Sequence, residues 1–229
     1  MTVIALIPAA GAGTRLAAAQ PKAFVELAGV PLVVRAVRGL LESGVVDAVV
    51  VALPPDAVSR SSRLFNGLGK PVTVVAGGAD RTASVRCALV EARRLYAAAE
   101  VFLVHDAARV LTPPMVVHSV VDAVRAGSPA VVPVLPMADT VKELSSDGLV
   151  VATRDRATLR AVQTPQGFAA DVLVRAYEAV DGGAVVTDDA GLVEALGVPV
   201  HTVAGHQLAF KVTTALDLAM AELLVEERR

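Results

Sequence analysis

The sequence predicts an α/β fold, a mostly parallel sheet flanked by helices, with a β-hairpin arm projecting from it. Three observations carry this. Short aliphatic runs of strand length alternate with amphipathic segments of helix length, the pattern of βα units. The runs are nearly continuous in Val, Ile, Leu and Ala, as strands buried on both faces require. Between residues 138 and 163 that rhythm gives way to an alternation rich in charge.

Strands are expected at residues 2–7, 48–53, 72–75, 101–104 and 130–134. Pro31 reads as the first position of a helix that runs to Glu42 and ends at Ser43-Gly44, with Leu32, Val33, Ala36, Val37, Leu40 and Leu41 as its apolar stripe. Asp80 is placed to cap a helix running to about residue 98, and Pro113-Pro114 opens another ending near Gly127. The arm, about 137–163, carries Asp139, Lys142, Glu143, Arg154, Asp155, Arg156 and Arg160 around a Ser146-Asp147-Gly148 turn. Helices near 169–180 and 187–196, a strand at 198–203 and a helix after Lys211 complete the chain. With neither internal repeat nor linker, residues 1–229 are expected to form a single domain with an arm.

Bulk properties narrow the function. A chain of 229 residues can bury roughly 70% of its unfolded surface, enough for a core without staples. Mean hydropathy is high at +0.59, yet no apolar run approaches the roughly 20 residues that span a bilayer. Met1 leads into Thr2-Val3-Ile4 with no basic stretch, so neither a membrane span nor a secretory signal is expected. The lone Cys87 excludes an intramolecular disulfide and a multi-cysteine zinc site, and is expected to be a small buried hydrophobe. Aromatics at 3%, no Trp, and a net charge of −2 argue against a nucleic-acid partner. A cytoplasmic location is expected.

The chemistry concentrates after the first strand, in Pro8-Ala9-Ala10-Gly11-Ala12-Gly13-Thr14-Arg15-Leu16 and Pro21-Lys22. Small residues at 9–13 let backbone N–H groups approach an anion, glycines permit φ > 0, and Arg15 and Lys22 add two cations. A dinucleotide fingerprint would need glycine where Leu16 stands, and no Gly-Lys-Ser/Thr of a Walker loop is present. A plain glycine turn between strand and helix remains the structural alternative. Gly77-Gly78 and the Asp106–Arg109 segment each follow a strand, where such sheets place ligands. They read either as ligand-binding loops or as an ordinary turn, an exposed Ser84 and a local ion pair. His105 reads as structural, and His118, His201 and His206 as surface or satisfied histidines.

The opening Ala9-Ala10-Gly11-x-Gly13-x-Arg15-Leu16 with Pro21-Lys22 resembles nucleotidyltransferases that activate sugar or polyol phosphates. Further marks are Gly77-Gly78-x-x-Arg81-x-x-Ser84-Val85, His105-Asp106-Ala107-Ala108-Arg109, Asp139-Thr140-Val141-Lys142 and Asp155-Arg156. Gln163-Thr164-Pro165-Gln166, Thr187-Asp188-Asp189-Ala190 and Lys211-Val212-Thr213 follow. In this order they resemble the 2-C-methyl-D-erythritol 4-phosphate cytidylyltransferase family across the chain. Val110 and Ala215 stand where proline is usual.

The resemblance implies a Rossmann-like fold and transfer of a cytidylyl group from CTP to 2-C-methyl-D-erythritol 4-phosphate, releasing pyrophosphate, in isoprenoid precursor synthesis. It implies catalytic roles for Arg15, Lys22, Arg156 and Lys211, the latter two holding the phosphate substrate. It implies nucleotide binding by Pro8, Ala9, Ala10, Gly11, Ala12, Gly13, Gly78 and Ser84, with Gly78, Ser84 and the Ala9–Ala10 backbone reading cytosine. Asp106, Ala107, Arg109, Thr140, Thr164 and Thr187 are implied for the acceptor. Mg²⁺ is expected mainly on triphosphate oxygens, with Asp106 able to approach it. A homodimer is implied, with the arm carrying Thr140 and Arg156 to the neighbouring subunit. A transferase for another polyol phosphate such as ribitol 5-phosphate, and a non-catalytic nucleotide-binding protein, are the alternatives.

Overall fold

The computed structural model describes residues 1–11, 21–179 and 187–227. The expected residues Ala12, Gly13 and Arg15 lie outside the described residues. The central sheet is built from β1 (Thr2–Pro8), β4 (Ala48–Leu53), β5 (Val72–Ala76), β6 (Ala99–Val104), β7 (Ala130–Pro136), β10 (Arg160–Val162), β11 (Gln166–Ala169) and β12 (His201–Ala204). Short ribbons pair β2 (Glu26–Leu27) with β3 (Val30–Pro31) and β8 (Val141–Leu144) with β9 (Val150–Arg154). The helices are α1 (Leu32–Glu42), α2 (Val58–Ser61), α3 (Arg81–Leu95), α4 (Pro114–Arg125), α5 (Ala170–Ala179), α6 (Asp189–Ala195) and α7 (Ala215–Glu226).

Strands β5, β4, β1 and β6 run parallel in that spatial order, and β7 pairs parallel with β12. Between β6 and β7 lies β11, antiparallel to both. The sheet is therefore mixed with a parallel core. Alternate strand residues feed two cores. Val3, Ala5, Ile7, Val49 and Leu103 face α1 and α4. Ile4, Leu6, Val50 and Phe102 face α3, α5 and α6. Burial on both faces is why these strands read as continuous aliphatic runs.

The arm is narrower than expected. Only β8 and β9 form the ribbon, turning through Ser145–Leu149 with Gly148 at φ 84°. Arg160–Val162 instead pairs antiparallel with β7 in the main sheet, because Leu135 and Pro136 extend beyond the residues of β7 that β11 and β12 pair with. β11, a short strand beginning with Gln and Gly, was not expected. Gly167 is needed there, since a Cβ would lie 2.4 Å from Val120 Cγ1 of α4. Pro31 caps α1 from outside rather than opening it, and α3 ends at Leu95 rather than near 98. Strand β12 starts at His201, later than the expected 198. A third cluster of Val25, Leu27, Leu32, Val110, Val212 and Ala221 seats α7 against the β2–β3 ribbon. Val110 thus fills apolar space, and Ala215 occupies the first turn of α7, where proline and alanine both fit. Cys87 is half-buried rather than buried. Among the described residues, no helix is long and apolar enough to cross a membrane.

Candidate functional site

A cleft of about 230 Å³ opens at the carboxyl ends of β1, β5 and β6. Its lining includes Pro8–Gly11, Lys22, Gly78–Arg81, Ser84, Asp106–Ala108 and Lys211. Segments far apart in sequence therefore meet where a parallel sheet presents its loops.

The Ala9 N–H donates to Ala52 O at 2.8 Å and the Gly77 N–H to Leu53 O at 2.8 Å, so both loops hang from β4. They approach closely. A Cβ on Gly77 would lie 2.5 Å from Ala10 Cβ and 2.9 Å from Ser84 Oγ, and one on Gly78 would lie 2.3 Å from Ala83 Cβ. Close approach, not left-handed backbone, requires glycine at these two positions. Gly11, to which φ > 0 is open, does not lie in the left-handed region. Ser84 is buried, not exposed: its Oγ donates to Asp80 O at 2.7 Å and accepts from the Gly78 N–H at 3.2 Å. It braces the glycine loop from below. Asp80 caps α3, accepting from the Ala83 N–H at 2.7 Å.

Asp106 is the electrostatic centre. Its Oδ2 lies 2.9 Å from Lys211 Nζ and 3.5 Å from Arg109 Nε, and its Oδ1 is 3.3 Å from Arg81 Nε. Burial opposes its ionisation, but Lys211, Arg81 and Arg109 outweigh that and hold the carboxyl well below the usual range. The Asp106 N–H donates to Thr164 Oγ1 at 3.0 Å, and that hydroxyl also pairs with His105 Nδ1 at 3.0 Å. His105 is structural as expected. It is buried, its Nε2 faces Arg109 O at 3.3 Å, and burial lowers its pKa to about 4.

Arg109 is more committed than a free phosphate ligand. It donates to Ala209 O at 2.7 Å and to Val162 O at 3.4 Å, while its buried Nε makes no hydrogen bond among the described residues. Lys22, at the start of a short 3₁₀ turn, lines the cleft near the first turn of α7. There burial raises the Asp217 carboxyl, but N–H donors of Thr213 and Thr214 and the Lys22 charge hold it below its usual range. Thr140, Arg156 and Thr187 are exposed and do not line the cleft of their own chain. Arg156 donates to Ala138 O at 2.5 Å at the base of the arm.

Sequence reasoning assigned no role to Arg81 or Asp189. Arg81 Nη2 donates to Asp189 Oδ2 at 2.7 Å across 108 residues of chain. The available signal was a cation at the first position of a helix, which the helix dipole disfavours unless carboxylates are near. The described residues form no group of three or more His, Cys, Asp or Glu side chains able to hold a metal. Both Asp106 oxygens face cations here, so this carboxylate is not open to a metal while Lys211 holds Oδ2, and the described residues of the cleft offer no protein cage for Mg²⁺.

A model of the 2-C-methyl-D-erythritol 4-phosphate cytidylyltransferase family matches residues 3–227. A Saccharopolyspora erythraea protein named 2-C-methyl-D-erythritol 4-phosphate cytidylyltransferase is 57% identical over 225 residues, 98% of this chain and 100% of that one. A Rhodococcus opacus protein of the same name is 54% identical, with 98% and 96% covered. The crystal structure of 2-C-methyl-D-erythritol 4-phosphate cytidylyltransferase from Thermus thermophilus matches with a TM-score of 0.77 at 37% identity, covering 99% of this chain and 100% of that one. None of these names a ribitol phosphate. Sequence and structure agree from end to end, and the chain belongs to the 2-C-methyl-D-erythritol 4-phosphate cytidylyltransferase family.

Proposed function

We infer that this chain transfers the cytidylyl group of CTP to 2-C-methyl-D-erythritol 4-phosphate, giving 4-diphosphocytidyl-2-C-methyl-D-erythritol and pyrophosphate. The carrying observation is that Lys22 and Lys211, far apart in sequence, line one cleft with the Pro8–Gly11 and Gly78–Arg81 loops. Two lysines and close-packed backbone suit a triphosphate and a phosphate monoester held side by side.

The acceptor is substantially dianionic at pH 7, its second pKa being about 6, so it needs no general base. His105 is unsuited to be one, with both ring nitrogens engaged. The work left to the protein is to bring two anions together and to stabilise charge at the α-phosphorus. Lys22 and Arg15 take the triphosphate and departing pyrophosphate. Lys211 releases Asp106 Oδ2 to hold the acceptor phosphate. A divalent cation bound with the triphosphate would supply further neutralising charge there, with no side-chain cage for it among the described residues.

The chain works as one domain, paired with a second copy through the arm. Leu149, Val150 and Val151 are 66%, 59% and 60% exposed on a two-stranded ribbon, and such a ribbon is marginal alone in water. Pairing across a two-fold axis would cover them and bring Arg156 and Thr140 to the neighbouring cleft.

A pyrophosphate-release assay pairing CTP, UTP, ATP and GTP with methylerythritol 4-phosphate and ribitol 5-phosphate tests the reading. Turnover is expected for CTP with methylerythritol 4-phosphate. Comparable turnover with a purine nucleotide or with ribitol 5-phosphate would overturn it.

A further inference from the structure

Arg81 occupies the first turn of α3, a place unfavourable to positive charge. Two carboxylates keep it there. Asp189, on α6, is 1% exposed and accepts from Arg81 Nη2 at 2.7 Å through Oδ2. Its Oδ1 accepts from the Tyr177 hydroxyl of α5 at 2.5 Å. Arg86 of α3 lies over the Tyr177 ring, its guanidinium carbon 5.8 Å from the centroid. Burial opposes the charge on Arg81, yet Asp189 and Asp106 more than offset it. Its Nε is committed to Asp106 and its Nη2 to Asp189, so two of the three guanidinium nitrogens of Arg81 are already spoken for and it is ill suited to receive a phosphate. Its geometry suits a strut.

The two oxygens of Asp106 are divided between different duties. Oδ1 takes Arg81, while Oδ2 takes Lys211 at 2.9 Å and faces Arg109 at 3.5 Å. When Lys211 leaves Oδ2, a carboxylate held on that side alone would be free to turn. Held at Oδ1, it keeps its place. Neither Asp189 nor Tyr177 lines the cleft, so their influence passes through Arg81.

We propose that Asp189, fixed by Tyr177, is a positioning residue that anchors Arg81, and that Arg81 holds Asp106 by Oδ1 so that Lys211 can exchange Oδ2 for the acceptor phosphate. The proposal rests on the cytidylyl-transfer reading above.

The test compares Asp189→Asn, Arg81→Gln and the double variant by steady-state pyrophosphate release and by thermal melting. Asp189→Asn should lower kcat/KM for the polyol phosphate by about 10–100-fold, the usual loss when a group that orients a ligand is removed. KM for CTP should move less. Arg81→Gln should show the same loss, and the double variant no more than either, because Asp189 acts only through Arg81. The double variant should nonetheless melt above either single one, since neither buried charge is left without its partner. Recovery of kcat/KM together with melting temperature would overturn the proposal in favour of a purely structural pair, as would losses that add. If a single variant does not fold, the double variant decides: folded and impaired supports the proposal, folded and fully active overturns it. A wild-type protein inactive on CTP and methylerythritol 4-phosphate would overturn the assigned reaction and this inference with it. An active wild type with unimpaired variants would overturn the inference alone.

Discussion

Gly77→Ala probes how the nucleotide loops are held together. The new Cβ would lie 2.5 Å from Ala10 Cβ and 2.9 Å from Ser84 Oγ. Carbon atoms rest about 3.5–4.0 Å apart, so the two loops must separate by about 1 Å. Ser84 cannot swing aside freely, because its hydroxyl is tied to Asp80 O at 2.7 Å. Overpacking of this kind costs about 1–3 kcal/mol of stability, and a displacement of about 1 Å in a positioned site costs about 10²-fold in rate. We expect kcat/KM for CTP to fall about 10²-fold while the protein stays folded, read by pyrophosphate release beside a melting curve. Adding Ala10→Gly removes the shorter contact and should restore part of the loss, leaving what the Ser84 contact imposes. Gly77→Ala with wild-type kcat/KM for CTP would refute the idea that this close approach shapes the nucleotide site.

Lys22→Ala should lower kcat by about 10²–10³, the loss typical of removing one preorganised donor, with melting unchanged to within a few degrees; near-normal turnover would remove Lys22 from catalysis. Burial lowers the His105 pKa from 6.5 to about 4, so between those values the unfolded chain takes up a proton that the folded one refuses. Stability should therefore fall as pH drops from about 6.5 to 4, by up to about 3 kcal/mol, and urea midpoints of a His105→Gln variant showing the same slope would contradict the assignment. Mixing Lys22→Ala with Arg156→Ala subunits should return roughly half of wild-type activity per heterodimer, because one of its two sites carries neither defect; confirmed exchange without recovery would show that Arg156 does not serve a neighbour.

Much of the sheet was legible because burial on both faces leaves an aliphatic run, as at Ala48–Leu53, all six residues of which are buried. The helices announced themselves by stripe and cap, Asp80 being a case where the capping carboxylate sits where the sequence put it. β11 was not legible. Gln166-Gly167-Phe168-Ala169 has neither strand length nor alternation, and its place between β6 and β7 is set by tertiary pairing. Arg160–Val162 looked like arm for the same reason, since one charged and two apolar residues in sequence do not reveal that the end of β7 will pair with them. At the site, loop residues Ala9, Ala10, Gly78, Asp106 and Lys211 were found from motifs and converge on the cleft. The strut was not legible as a pair: a cation at the first position of a helix hinted at a nearby carboxylate, but nothing local to Arg81 names Asp189, 108 residues away.

In the reaction inferred above, the acceptor phosphate attacks the α-phosphorus directly, with cations positioned by the protein and no enzyme nucleophile. Methylerythritol 4-phosphate carrying ¹⁸O in its phosphate, turned over with CTP and read by ³¹P NMR, tests this most directly, together with exchange of labelled pyrophosphate into CTP. Direct attack predicts ¹⁸O in the bridge between the two phosphorus atoms of the product, unlabelled pyrophosphate, and no exchange until the acceptor is present. Exchange of pyrophosphate into CTP in the absence of acceptor would reveal a cytidylyl-enzyme and contradict the account.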